Sequence, residues 1–273
     1  MVLPLSRALG LLQRYPGAFL LPVVVIAGAH LGIDHAIASA PVSKFLQFLL
    51  MIVGLLVNFC LASVVFLCVA TYTVRSESNG EQPKPGNVLD ALKCPGCAPL
   101  LSGMLTRFAL TLVASGAVTL IVVVPALEAL KAATHHAVRR EISGEAYLWV
   151  ATIVGVAILS RWALAIPLFA QSQGLLKTPF STSAKAIRGL RTFVIVFTLL
   201  IQAACYPLIR LTMPHHLHLS QGTARYVPLL LETLAARGLQ AVLWTWWMIV
   251  MTMLAMRLQG TDEPVPAAPL AVA

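Results

Sequence analysis

Acidic residues are scarce in this chain: there are ten in 273 positions, and none lies inside a long apolar run. Charged residues of either sign make up only 11% of the sequence, against about 25% in soluble domains. A water-soluble fold of this length does not suit that composition. The shortage of carboxylates also argues against paired acid–base catalysis and against cation-coupled transport through a membrane interior. No Gly-x-Ser-x-Gly elbow, Walker A loop or His-Glu-x-x-His zinc helix occurs. Enzyme activity, a cofactor and a bound metal are therefore not expected.

Apolar residues account for 59% of the chain, and the mean hydropathy is +0.86. A helical span needs about 20 apolar residues to cross a hydrocarbon core of about 30 Å. Six runs qualify: 17–33, 45–74, 103–127, 147–170, 192–209 and 238–256. The sequence thus predicts an all-α polytopic membrane protein with six transmembrane helices in one domain, 1–258. A disordered tail, 259–273, carries Pro264, Pro266 and Pro269. The second run is 30 residues long, about 45 Å at helical rise, so it must tilt or project beyond the bilayer. The first run has a second reading as a signal peptide, with Arg7 and Arg14 ahead of it and Ala27-Gly28-Ala29 as a cleavage site. Its long leader and Pro22 inside the apolar stretch favour an uncleaved span.

The basic residues set the orientation. With the N-terminus inside, eleven of the 19 Lys and Arg fall on the inner side and seven on the outer, leaving Arg161 within the membrane. That imbalance places both termini on the cytoplasmic side of the membrane. It also places all seven histidines at the outer rim, and the pair Cys94 and Cys97 inside. Short amphipathic stretches precede three of the spans, at 5–14, 87–93 and 181–188. Such stretches are expected to lie as interfacial helices on the inner side, basic residues toward anionic headgroups. Their recurrence suggests an elbow, span, span unit repeated three times, although the three share no residue pattern.

Arg161 is the most informative side chain. An ionisable group at membrane depth is costly and marks a functional site by default. Pro167 follows in the same run, and a proline leaves the carbonyl four residues earlier, that of Ala163, without its helical donor. A guanidinium can brace such a kink, snorkel to the inner headgroups, or grip an anion such as a lipid phosphate bidentately. Cys94-Pro-Gly-Cys97 is a CxxC, but it lacks the strand–helix setting of a redox site and the two further ligands of a zinc site. Pro95 and Gly96 also serve as a turn. His135-His136 and His215-His216-Leu-His218 lack metal-ligand spacing and read as solvated loops. Glu232 and Arg237 are five apart, a poor helical pair. Trp244, Trp246 and Trp247 fall mid-span, where they pack between helices or wall a cavity.

Arg161, Pro167, Ser183 and Gly189, with Arg188, Arg191 and Phe193 around the last, form a recognisable series. Together with the opening Ala8-Leu-Gly-Leu-Leu-Gln-Arg-Tyr-Pro-Gly17, it resembles the membrane-domain family of glycerophosphoryl diester phosphodiesterases and its stand-alone bacterial relatives. That family carries an acid five residues after the proline and basic residues before the serine. Here Ser172 and Ser181-Thr182 stand in those places. The resemblance implies a six-span helical domain, without a catalytic barrel and with a link to phospholipids. The expected function is a non-enzymatic membrane protein that binds or helps move an anionic amphipathic molecule such as a phospholipid. Arg161, Pro167, Ser183, Arg188, Gly189 and Arg191 would form the anion site. A structural or assembly subunit of a membrane complex, or a small-solute transporter, is the alternative. Membrane lipids are the expected partners, a membrane protein is the second candidate, and nucleic acid is not expected.

Overall fold

The computed structural model describes residues 2–19, 24–25, 28, 32, 43–82, 92–134, 140–216 and 226–260. Among these every regular element is helical: α1 (Val2–Arg14), α2 (Lys44–Asn79), α3 (Cys97–Thr134), α4 (Arg140–Leu159), α5 (Ala165–Gln171), α6 (Pro179–Ala186), α7 (Arg191–His216) and α8 (Tyr226–Gly260). A single 3₁₀ turn, Ser160–Trp162, separates α4 from α5.

Among the described residues four stretches are long and apolar enough to cross a membrane: Leu49–Ser78, Cys97–Ala129, Ala146–Gln171 and Leu234–Gly260. A fifth is counted if α6 and α7, bent by 101° to one another, are taken as one span. These correspond to the second, third, fourth, sixth and fifth runs of the sequence. The first expected span lies mostly outside the described residues, as do the tail and most of the 87–93 stretch. The structure therefore supports a multi-pass membrane protein with four or five such helices.

Several hydroxyls of the spans are satisfied from within their own helices, as suits an apolar solvent. Thr71, Thr73 and Thr252 each donate to the carbonyl four residues earlier at 2.8 Å, and Thr119 does so at 2.7 Å. Large apolar side chains on α3 face outward, with Val113 and Ile121 each 72% exposed to whatever surrounds the protein. In a bilayer that surrounding is acyl chain.

Helices α2, α3, α4, α7 and α8 close into a ring, each touching the next, and α5 is wedged under it against α2 and α8. Every residue of α5 from Ala165 to Ala170 is buried, so this short helix forms a floor to the ring. Helix α1 sits at the same end. Its apolar positions at helical spacing, Ala8 and Leu11, are buried in the core with Leu5 and Leu12 packed beside them. The apolar face of this elbow is thus covered by protein. Beside that face, one turn before Leu11, Arg7 bridges to Glu77 of α2 at 2.8 Å.

Candidate functional site

The break between α4 and α5 has identifiable causes. Pro167 cannot return an N–H to the Ala163 carbonyl, and a serine from another helix fills part of the gap. Ser183 of α6, fully buried, donates its hydroxyl to the Arg161 carbonyl at 3.0 Å and accepts the Leu164 N–H at 3.2 Å. One side chain thereby satisfies both a donor and an acceptor freed by the break. Arg191, at the start of α7, reaches across to donate from Nη2 to the Ala157 carbonyl at 3.1 Å. The carbonyl-bracing role considered for Arg161 is thus filled by Arg191, and at Ala157. The Arg161 side chain itself is exposed at the turn, and Arg188 and Gly189 are exposed between α6 and α7. Three of the six residues, Pro167, Ser183 and Arg191, therefore build the break, while the other three lie on the surface.

Inside the ring lies a cavity of about 390 Å³. Sites of about 300–1,000 Å³ are typical for small-molecule ligands. Its walls are mostly apolar: Leu55, Phe59 and Phe66 of α2, Met104 and Phe108 of α3, Val156 and Leu159 of α4, and Trp244, Trp247 and Met248 of α8. Ser160, Trp162 and Ala163 of the break and Ile166 of α5 close the floor. Aromatic pairs tie the walls together. Phe59 of α2 and Phe108 of α3 stack at 3.8 Å, and Phe66 of α2 meets Trp247 of α8 at 6.3 Å. The Trp247 indole donates to Thr198 Oγ1 of α7 at 3.0 Å. Mid-span tryptophans are therefore both packing residues and cavity wall here.

The cavity has polar groups at two levels. Near the floor, Arg107 of α3 lies with its guanidinium 3.7 Å from the Phe180 ring centroid and 5.3 Å from that of Trp162. Its Nη1 donates to the Gly103 carbonyl at 3.1 Å, consistent with a long helical side chain leaning toward the helix start. The aromatic faces attract the cation while the guanidinium keeps further N–H donors for a guest. Away from the floor, Asn58, Gln202, Gln240 and Arg237 line the same space, and Arg237 Nη1 donates to Gln240 Oε1 at 3.2 Å. The Glu232 side chain, weighed as a partner for Arg237, lies outside the described residues, as do all seven histidine side chains.

Cys94-Pro-Gly-Cys97 forms a tight turn, with the Cys97 N–H donating to the Cys94 carbonyl at 3.2 Å and Gly96 at φ +81°. It packs back to back with the turn that ends α5. There Gly174, at φ +86°, donates its N–H to the Phe169 carbonyl at 3.0 Å, a left-handed helix stop. A Cβ on Gly174 would sit 2.6 Å from the Pro95 carbonyl oxygen, so the backbones touch. Ser172, where the resembled family has an acid, donates to the Phe169 carbonyl at 2.9 Å and accepts the Leu176 N–H at 3.1 Å. None of the five cysteines is in a disulfide, and no cluster of metal-ligating side chains occurs among the described residues.

No protein family, curated protein or solved structure matches this chain. The site therefore has to be read from its own residues. Sequence reasoning counted Arg107 only as an inner-side charge and passed over Asn58, Gln202 and Gln240. The signal was present, since carboxamides inside apolar runs need partners as much as an arginine does.

Proposed function

We propose that this protein is a non-enzymatic, multi-pass membrane protein that binds or helps move an anionic amphipathic molecule, such as a phospholipid, in the cavity enclosed by its helix ring. The observation that carries this reading is the join of a mostly apolar 390 Å³ chamber to a guanidinium held on its wall between two aromatic rings. Apolar walls suit an acyl chain, and Arg107 suits phosphate or carboxylate. Arg161, Lys185 and Arg188, exposed around the break, serve to gather anionic headgroups at the floor end. By the count of basic residues that end faces the cytoplasm, a sixth span near the N-terminus adds to the five, and the membrane is a bacterial inner membrane if the kinship below holds. The kinship suggested by Arg161, Pro167, Ser183 and Gly189 to the membrane domains of glycerophosphoryl diester phosphodiesterases accords with a phospholipid guest.

The test is the lipid that accompanies the purified protein, measured by mass spectrometry of wild type, Arg107→Ala and Arg161→Ala. The expected result is loss of most bound anionic lipid in Arg107→Ala, with a smaller loss in Arg161→Ala. Equal lipid content in wild type and Arg107→Ala would overturn the assignment of the cavity.

A further inference from the structure

The turn that opens α3 brings two thiols together. Cys94, Pro95, Gly96 and Cys97 make a type II β-turn, with proline at its second position and Gly96 at φ +81° at its third. The Cys97 N–H closes it onto the Cys94 carbonyl at 3.2 Å. A β-turn holds its end Cα atoms within about 7 Å, and a disulfide spans about 4.4–6.8 Å between Cα atoms. The two ranges overlap, so a Cys94–Cys97 bond needs little movement of the chain.

The turn is also backed from behind. A Cβ on Gly174 would lie 2.6 Å from the Pro95 carbonyl oxygen and 3.0 Å from Cys94 Cβ, so the end of α5 presses on it. That support keeps the two thiols from drifting apart. They differ in access: Cys94 is half-buried, whereas Cys97 is only 7% exposed. Cys68 and Cys205 are fully buried within α2 and α7, away from any oxidant in water. Disulfide exchange does not require a strand–helix setting. It requires an accessible first sulfur and a second one placed to attack it.

We infer that Cys94 and Cys97 form a reversible dithiol–disulfide site that reacts with small disulfides of the glutathione class. The Cys94 thiolate attacks one sulfur of the small disulfide, forming a mixed disulfide and releasing one thiolate. The Cys97 thiolate then attacks Cys94 Sγ, which closes the intramolecular bond and releases the second thiolate. The protein dithiol gives up two electrons and two protons, and the small disulfide takes them up as two thiols. On the cytoplasmic side, where the basic residues put this turn, a reduced thiol pool returns the pair to the dithiol. The closed ring ties the chain entering α3 to the first turn of that helix, beside the end of the α5 floor. The inference stands apart from the lipid reading of the cavity.

The experiment equilibrates the full chain in detergent micelles with oxidised glutathione, quenches with acid, denatures, and counts the remaining thiols by maleimide labelling and mass spectrometry. Wild type is expected to fall from five thiols to three, with Cys94 and Cys97 in one linked peptide, and to regain all five with dithiothreitol. Cys97→Ser is expected to accumulate the mixed disulfide at Cys94. Cys94→Ser is expected to react about tenfold more slowly, because the remaining thiol of the turn is covered. Five thiols remaining in wild type, glutathione left on Cys94 without ring closure, or a bond from Cys97 to Cys68 would each overturn the inference. The wild-type count decides the matter even where a serine variant does not fold.

Discussion

Arg191 donates from Nη2 to the carbonyl of Ala157, 34 residues earlier, across 3.1 Å. This bond pins the elbow end of the seam between α4 and α7, whose other end is closed by Trp149 against Tyr206 at 5.1 Å. Arg191→Ala is expected to lower stability by about 1 kcal/mol, the scale of interhelical hydrogen bonds in membranes. Arg191→Lys should recover part of the loss. Thermal unfolding in detergent, followed by circular dichroism, checks both, and an unchanged melting point in Arg191→Ala would remove the pin.

Ser183 has a larger share in stability than its size suggests. Replacing it with alanine removes the acceptor of the Leu164 N–H and the donor to the Arg161 carbonyl together. With the site fully buried, a cost of about 1–3 kcal/mol follows from the stranded backbone groups. Ser181→Ala, whose exposed hydroxyl bonds only within its own turn, is the control and should be close to neutral.

The two back-to-back turns predict an unequal pair of glycine substitutions. Gly174→Ala drives a Cβ to 2.6 Å from the Pro95 carbonyl oxygen, where backbone must move. Gly96→Ala meets the Phe169 ring at 3.3 Å, and a ring can yield. Both positions have positive φ, costing about 1–2 kcal/mol for an L side chain. Gly174→Ala should therefore be the more damaging, read as expression yield and melting temperature side by side.

Filling the chamber separates its role from the fold. Ala62 lies on the cavity wall, and Ala62→Phe projects a ring into the chamber. Bound lipid should fall about tenfold while the melting point holds or rises. A variant that keeps its full lipid content would show that the guest sits elsewhere.

Much of the architecture was legible in the sequence, because apolar runs of 20 or more residues have few alternatives to a membrane helix. The second, third, fourth and sixth runs correspond to helices that meet the length and hydropathy needed to cross. The short α6 and its 101° turn into α7 were less visible, being read as an amphipathic stretch ahead of a span. Arg161 drew attention because charge in an apolar run is conspicuous. The sequence could not show that the chain breaks at that residue and turns its side chain outward. That outcome depends on Ser183 and Pro167 acting together, and Ser183 is 22 positions distant. The carboxamides were overlooked for the opposite reason: each is uncharged and isolated in its own run. Only the ring closure brings Asn58, Gln202 and Gln240 to one chamber.

Helix α2 supplies a candidate span of 30 residues, about 45 Å of rod in a hydrocarbon layer of about 30 Å. The surplus carries Glu77, and Glu77 holds Arg7. The N-terminal helix is therefore moored to the part of α2 that a change in bilayer thickness would tilt or lift. Thickness, a property of the surrounding lipid as a whole, thus has a mechanical route to the N-terminus of the chain.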